Sequence, residues 1–468
     1  MTGILIRNAE VHGAPGTDVR VSGGSVTAVG PDLTAEGADV IDANGGAVLP
    51  GLTDHHLHLH AMAADAVSVR CGPPDVRDAA GLADALAHAV ADGHGWVRGV
   101  GYIETVAGEL DYTALDRLHP QRPVRIQHRS GAMWVLNGAA VAAAGLAEAH
   151  HRGVERDASG APTGRVWRAD NWLRERLPAS RPPALAPIGR SLARLGITSV
   201  TDATPDLHPD SLHAIVSAAR SGELPQRVHL LGAPLAGESE STGRLTVGPH
   251  KIVLADSGLP DLTELADLIQ RVHNTGRAVA VHCVSREALL ILMAVFDDIG
   301  TIRGDRIEHG ALIPSETLDE IHRLGLRVVT QPGFLAHRGD DYLRHVDTVD
   351  LPDLYRCRSL IDAGIPVALS SDAPYGPLDP WQVIAAAVER KAPTGEVVGR
   401  DERLSAAEAL DAYLPPATDP GGRPRSIRPG TPADLVVMHT PLTEVLTDPS
   451  TALVRLTLID GSVVGPGS

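Results

Sequence analysis

From Gly196 to about Pro374 the sequence keeps one rhythm, a short apolar strand-like run followed by a segment with helical spacing. The runs are Gly196–Ala203, Arg227–Leu231, Lys251–Ala255, Ala278–His282, Arg306–His309, Arg327–Gln331 and Pro366–Ser370, and Pro50–His58 makes eight. Alternation of this kind predicts an α/β fold with a parallel sheet. Eight repeats predict a (β/α)8 TIM-type barrel, in which reactive groups gather at the C-terminal ends of the strands. An open doubly wound sheet competes, but the chain lacks the glycine-rich phosphate fingerprint that would favour it. Asp261, with Glu264 three residues on, predicts the start of a helix whose apolar face holds Leu262, Leu265, Ile269 and Val272 and which Gly276 ends. Ser315 is expected to cap another, with Leu318 and Ile321 on its apolar side.

Both ends of the chain differ from this middle. Short alternating strands are expected at Ile4–Ile6, Asp18–Val21 and Ser25–Val29, and again over Ala433–Met438 and Val454–Val464. The expected organisation is therefore a small β-sandwich domain built from residues 1–49 and 400–468, with the barrel over 50–399. Residues 61–185 break the rhythm and read as an insertion after the first barrel strand, folded over the barrel mouth. At 468 residues the chain is long enough for this arrangement.

Charge narrows the partners. The formal net charge of -17, without any run of Lys or Arg, argues against nucleic acid or an anionic membrane and for a small-molecule substrate. Assembly into a homo-oligomer stays open. The opening residues lack a signal-peptide pattern, and no stretch is apolar over about 18 residues, so a cytoplasmic enzyme is expected. Cys71, Cys283 and Cys357 are odd in number and widely spread, which gives no disulfide framework and no cysteine zinc site.

The chemistry starts in Pro50-Gly-Leu-Thr-Asp-His-His-Leu-His58. Alternate side chains of a strand share a face, so His56 and His58 can present two imidazoles to one cation. His282 and His309 end the next candidate strands, and Asp372 follows another. Each alone is compatible with a packed histidine or a turn aspartate; together, at one end of successive strands, they point to a divalent metal centre. Lys251 is one of only two lysines and stands between these motifs. Burial near metal lowers a lysine pKa from about 10.4, and the neutral amine can take up carbon dioxide to become an anionic, bridging carbamate.

In this order, Pro50–His58, Lys251, His282, His309 and Asp372 resemble the amidohydrolase superfamily, and the likeness runs over nearly the whole chain, including Arg428–Val437 near its end. Gly95-Trp96, Pro123-Val124 with Trp134–Asn137, Ser371–Pro374 and Asp379–Trp381 are similar to the branch that includes N-substituted formamide deformylases. The resemblance implies one metal on His56, His58 and Asp372, a second on His282 and His309, and carboxylated Lys251 bridging them. It leaves a single-ion centre as the alternative, with zinc the expected metal. The chain departs from the branch at Ala132 and at Cys283-Val-Ser285.

The activity so implied is hydrolysis of an amide-type C–N bond by a metal-activated hydroxide, with Asp372 as general acid and base. Tyr102, His128, Arg129 and Trp134 from the insertion, with Gln331 and Tyr375, are the candidate substrate contacts. Alternatives are a mononuclear deaminase, which in the family places Glu where Ser285 stands, a cyclic amide or lactone hydrolase, and a barrel without catalysis that serves as a scaffold.

Overall fold

The computed structural model describes residues 3–178, 182–235, 243–256 and 258–464. The chain divides into two compact units, one joining residues 1–59 to 184–468 and the other holding 60–183. In the first, parallel strands follow in sequence: β1 (Leu52–Leu57), β2 (Ile197–Asp202), β3 (Arg227–Leu230), β4 in two pieces (Leu245–Val247 and His250–Val253), β5 (Val279–Cys283), β6 (Arg306–His309), β7 (Arg327–Thr330) and β8 (Val367–Leu369). Each pairs in parallel with its successor, from β1 to the first piece of β4 and from its second piece to β8.

Gly248 and Pro249 separate the two pieces of β4, where proline has no N–H to give to a ladder. The backbone still crosses the break: Gly248 donates to the Leu230 carbonyl at 2.8 Å and Lys251 to that of Leu231 at 3.1 Å. Beyond β8 the chain meets the end of β1, with the Asp372 N–H donating to His56 at 2.8 Å and the His58 N–H to Ala373 at 2.9 Å.

Helix Leu262–His273 starts where expected, the Asp261 carboxylate accepting from the Thr263 N–H at 2.8 Å, and buries Leu265, Ile269 and Val272. These residues join Leu289, Leu292 and Phe296 of helix Arg286–Ile299 and the outer faces of β5 to β7 in one core cluster. Complete burial of such a side chain contributes about 1.5–3 kcal/mol. Ser315 is not a helix cap: it opens the 3₁₀ turn Ser315–Thr317, and the α-helix begins at Leu318. The Thr317 N–H donates to the preceding Pro314 carbonyl at 3.0 Å, so the tight turn satisfies a donor that a cap would have served.

The end segments form two four-stranded sheets. One holds Gly3–Val11, Ala14–Ser22, Ser25–Gly30 and Ala38–Asp42. In the other, Val48–Pro50 pairs antiparallel with Leu435–Met438, followed by Val454–Ile459 and Ser462–Val464. Ile6, Val19 and Val26 share a core cluster with Val48, Leu435 and Leu458, so residues more than four hundred positions apart exclude water together.

The second unit has its own six-stranded sheet, which includes Val97–Tyr102, Val124–His128 and Met133–Leu136, and its own apolar clusters. Among the described residues no helix is long and apolar enough to cross a membrane.

Candidate metal centre

All six side chains of β1 are buried. Asp54 ties the strand to the segment after β8, its Oδ1 accepting from the His56 N–H at 3.1 Å and the Ser371 N–H at 3.3 Å. Burial pushes the Asp54 carboxyl up to about 7, against the opposing effect of the hydrogen bonds from Ser371 and His56.

His56, His58 and Asp372 each offer one ligand atom, all within 4.8 Å of one another. Asp372 Oδ1 lies 3.1 Å from His58 Nε2 and 3.6 Å from His56 Nε2. The other ring nitrogens are engaged elsewhere. His56 Nδ1 meets Glu308 Oε2, and the second Glu308 oxygen accepts from Arg306 Nε at 2.5 Å. An ionised carboxylate only accepts, so the proton of His56 sits on Nδ1 and the lone pair on Nε2. His58 Nδ1 stands 3.2 Å from the Thr204 hydroxyl. His309 Nδ1 is 2.9 Å from Gln331 Oε1, and the Gln331 amide nitrogen donates to Ser370 Oγ at 2.9 Å, which fixes the amide's orientation.

The remaining candidates border this group. Lys251 Nζ is 3.3 Å from His56 Nε2. The His309 ring lies 4.7 Å from that of His56 and 4.4 Å from that of His282, centroid to centroid. Burial, then the Lys251 charge for His56 and the His282 charge for His309, hold both imidazoles well below their usual pKa and therefore neutral, the form that binds metal. Burial also lowers the Lys251 amine to about 8, with Glu308 and Asp372 acting against it. His309 and Asp372 adopt positive φ, 69° and 54°, which costs a non-glycine residue about 1–3 kcal/mol and is the kind of strain found where side chains are aimed at a ligand. Neutral imidazoles with oriented lone pairs beside a carboxylate are a donor set that fits a divalent cation.

Of the candidate substrate contacts, Gln331 is occupied with His309, and the Tyr375 ring lies 5.4 Å from that of His58. Tyr102, His128, Arg129 and Trp134 belong to the second unit. There Tyr102 is buried with its hydroxyl on the Gly108 carbonyl, and the Trp134 indole donates to Asp170 at 2.8 Å between the guanidinium groups of Arg98 and Arg125. His128 contacts Ser130 at 2.7 Å and Glu104 at 3.3 Å, and the Arg129 N–H donates to the Tyr102 carbonyl at 2.9 Å.

The sequence reading assigned no role to Asp54, Thr204 or Glu308. Glu308 had a signal: Arg306 and Glu308 share one face of a strand whose four residues are all buried, and two buried charges at that spacing call for partners.

Parallel strands carrying a histidine and aspartate cluster at their C-terminal ends define a metal-dependent hydrolase of TIM-barrel type, an α/β class. The amidohydrolase family model matches residues 39–465, so the chain belongs to the amidohydrolase family, hydrolases that act on carbon–nitrogen bonds other than peptide bonds. It is similar to an N-substituted formamide deformylase of Arthrobacter pascens, 25% identical over 500 residues and 92% of each chain. It is also similar to the protein LONG AFTER FAR-RED 3 of Arabidopsis thaliana, 23% identical over 92% of this chain and 84% of that one. In fold it resembles an uncharacterized metal-dependent hydrolase from Pyrococcus horikoshii OT3, with a TM-score of 0.74 over 98% of this chain and 99% of that one at 19% identity.

Proposed function

We propose that the protein hydrolyses the amide-type bond of a small N-acyl or N-formyl amine at a zinc centre. The convergence of His56, His58 and Asp372 within 4.8 Å carries this reading, and the likeness to a formamide deformylase supports the substrate class. His56, His58 and Asp372 would hold one ion, and His282 with His309 a second. A single ion held by the four histidines and Asp372 is the simpler variant. When bound, a divalent metal supplies Lewis acidity, bringing the pKa of water near 7 and polarising a carbonyl.

Asp372 accepts the proton of the attacking water on its carboxylate and returns it to the leaving nitrogen. Its backbone bond to His56 holds it beside both imidazoles. Glu308 and Gln331 keep the rings of His56 and His309 turned toward the centre. Lys251, whose amine is lowered to about 8, is partly neutral at physiological pH. Its nitrogen can bond to the carbon of carbon dioxide with loss of one proton, and the resulting carbamate would supply an anionic ligand to the centre. Two divalent ions against that carbamate, Asp372 and a hydroxide leave a charge of about +1, tolerable in a polar pocket.

Gln331 and Tyr375 contact the substrate in this reading. The eight parallel strands close into a barrel, residues 1–49 and 400–468 form a β-sandwich, and the enzyme works in the cytoplasm on a small molecule.

Asp372→Asn tests the assignment. Turnover should fall about 10²–10⁴-fold while metal content, measured by elemental analysis, is retained; undiminished kcat rules out the proton-transfer role. A screen of the zinc-loaded protein with N-formyl and N-acyl amines, cyclic amides and lactones tests the substrate class, and activity confined to the cyclic compounds overturns it.

A further inference from the structure

A cavity of about 360 Å³ opens at the ends of these strands opposite to the metal centre. It is bounded by the break in β4 at Gly248-Pro249, the residues that lead into β5, and the starts of β6 and β7. Four arginines line it, Arg277, Arg303, Arg306 and Arg327, and among the described residues no carboxylate does. In a chain of net charge -17, four cations on one cavity wall are not a random draw from the surface.

Their compensation is incomplete. Arg327 has Asp419 at 2.6 Å. Arg277 donates only to main-chain carbonyls, among them Ala233 at 2.7 Å and Leu231 at 2.8 Å, so its hydrogen bonds are satisfied and its charge is not. Arg303 is exposed and has no ion pair among the described residues. Arg306 is 1% exposed; its Nε bonds Glu308, whereas its Nη2 is buried without a hydrogen-bond partner among the described residues. Burying a cation's N–H without a partner is destabilising, so such an atom marks a place where an acceptor belongs. His229, on the same wall, is held down to about 3 chiefly by burial, with the charges of Arg306 and Arg277 adding to it.

We infer that this cavity is a binding site for a small oxyanion of the phosphate type, seated on Arg306 Nη2 and steered by Arg277 and Arg303, distinct from the metal centre. Guanidinium groups match such an anion in geometry and stay charged on desolvation. The volume exceeds what one inorganic ion fills, so a phosphate monoester is accommodated as well as the free ion.

The test is isothermal titration at fixed ionic strength of the metal-loaded protein with inorganic phosphate and, separately, with glycerol phosphate. Comparison with Arg303→Glu provides the control, because this exposed position permits the charge reversal without unfolding; the melting temperature checks that. Expected is saturable one-site binding whose Kd rises at least about tenfold in the variant. Tighter binding of the ester identifies an esterified ligand, and equal affinities identify the free ion. Absence of saturable binding, or an affinity unchanged by Arg303→Glu, overturns the site; phosphate held by the metal centre alone would give the latter result.

Discussion

At the scale of single residues, the histidines are useful only because other side chains decide which nitrogen is free. Glu308 does this for His56 and, among the described residues, has no competing hydrogen-bond donor beyond Arg306. Glu308→Gln removes the charge while keeping the shape, and the new amide can face His56 with either its oxygen or its N–H. Metal affinity should fall about 10–100-fold, read as the Kd from competition with a chromogenic chelator. An unchanged Kd would mean that packing alone orients the ring. The spacing of His56 and His58 was readable because strand periodicity is strict. Thr204 was not, since a hydroxyl that hydrogen-bonds an imidazole is chosen by three-dimensional proximity and leaves no pattern in the chain. Asp54 was hidden for a similar reason: beside two histidines it looks like a turn residue, while its work is to bind the backbones of β1 and the segment after β8.

Among elements, the strands were legible and the connections were not. A buried parallel strand is a run of apolar residues closed by turn formers, and that pattern survives any context. The split of β4 and the 3₁₀ turn at Ser315 depend on where backbone groups find partners after folding, which periodicity does not encode. A polar network built between connections illustrates the same point. Arg356 binds Asp353 at 2.5 Å and Glu402 at 2.6 Å, while the N–H groups of Cys357 and Ser359 donate to Glu402 at 2.9 and 3.1 Å. Burial alone would raise the Glu402 carboxyl; the hydrogen bonds from Ser359 and Cys357, with the Arg356 charge, outweigh it and hold the group below its usual value. A carboxyl depressed in the folded state contributes stability above its unfolded pKa and loses that contribution as pH falls through the folded one. Glu402→Gln should therefore destabilise the protein by about 1–3 kcal/mol at pH 7. In denaturant titrations the gap from wild type should narrow as pH drops below the ordinary glutamate range; a gap independent of pH would assign the loss to shape alone.

For the whole molecule, the metal ligand candidates come from strands spread between residues 56 and 372, so a bound ion ties together segments that an unfolded chain leaves far apart. An ion that binds only the folded chain stabilises it by about 4 kcal/mol at a thousand times its Kd. Exhaustive chelation should lower the melting temperature by several degrees, and zinc should restore it; identical melting curves would show that the centre adds nothing to the fold.

The chain leaves the first unit at Leu59 and returns to it at Ala184. Every ligand candidate lies outside the excursion, since positions 56, 58, 251, 282, 309 and 372 all fall in the first unit, whereas four of the six substrate contacts expected from the sequence fall within it. The residues proposed for reactivity and those expected to set preference thus stand on separate stretches of polypeptide, an arrangement in which the excursion can diverge to suit new compounds while the ligand positions are inherited intact.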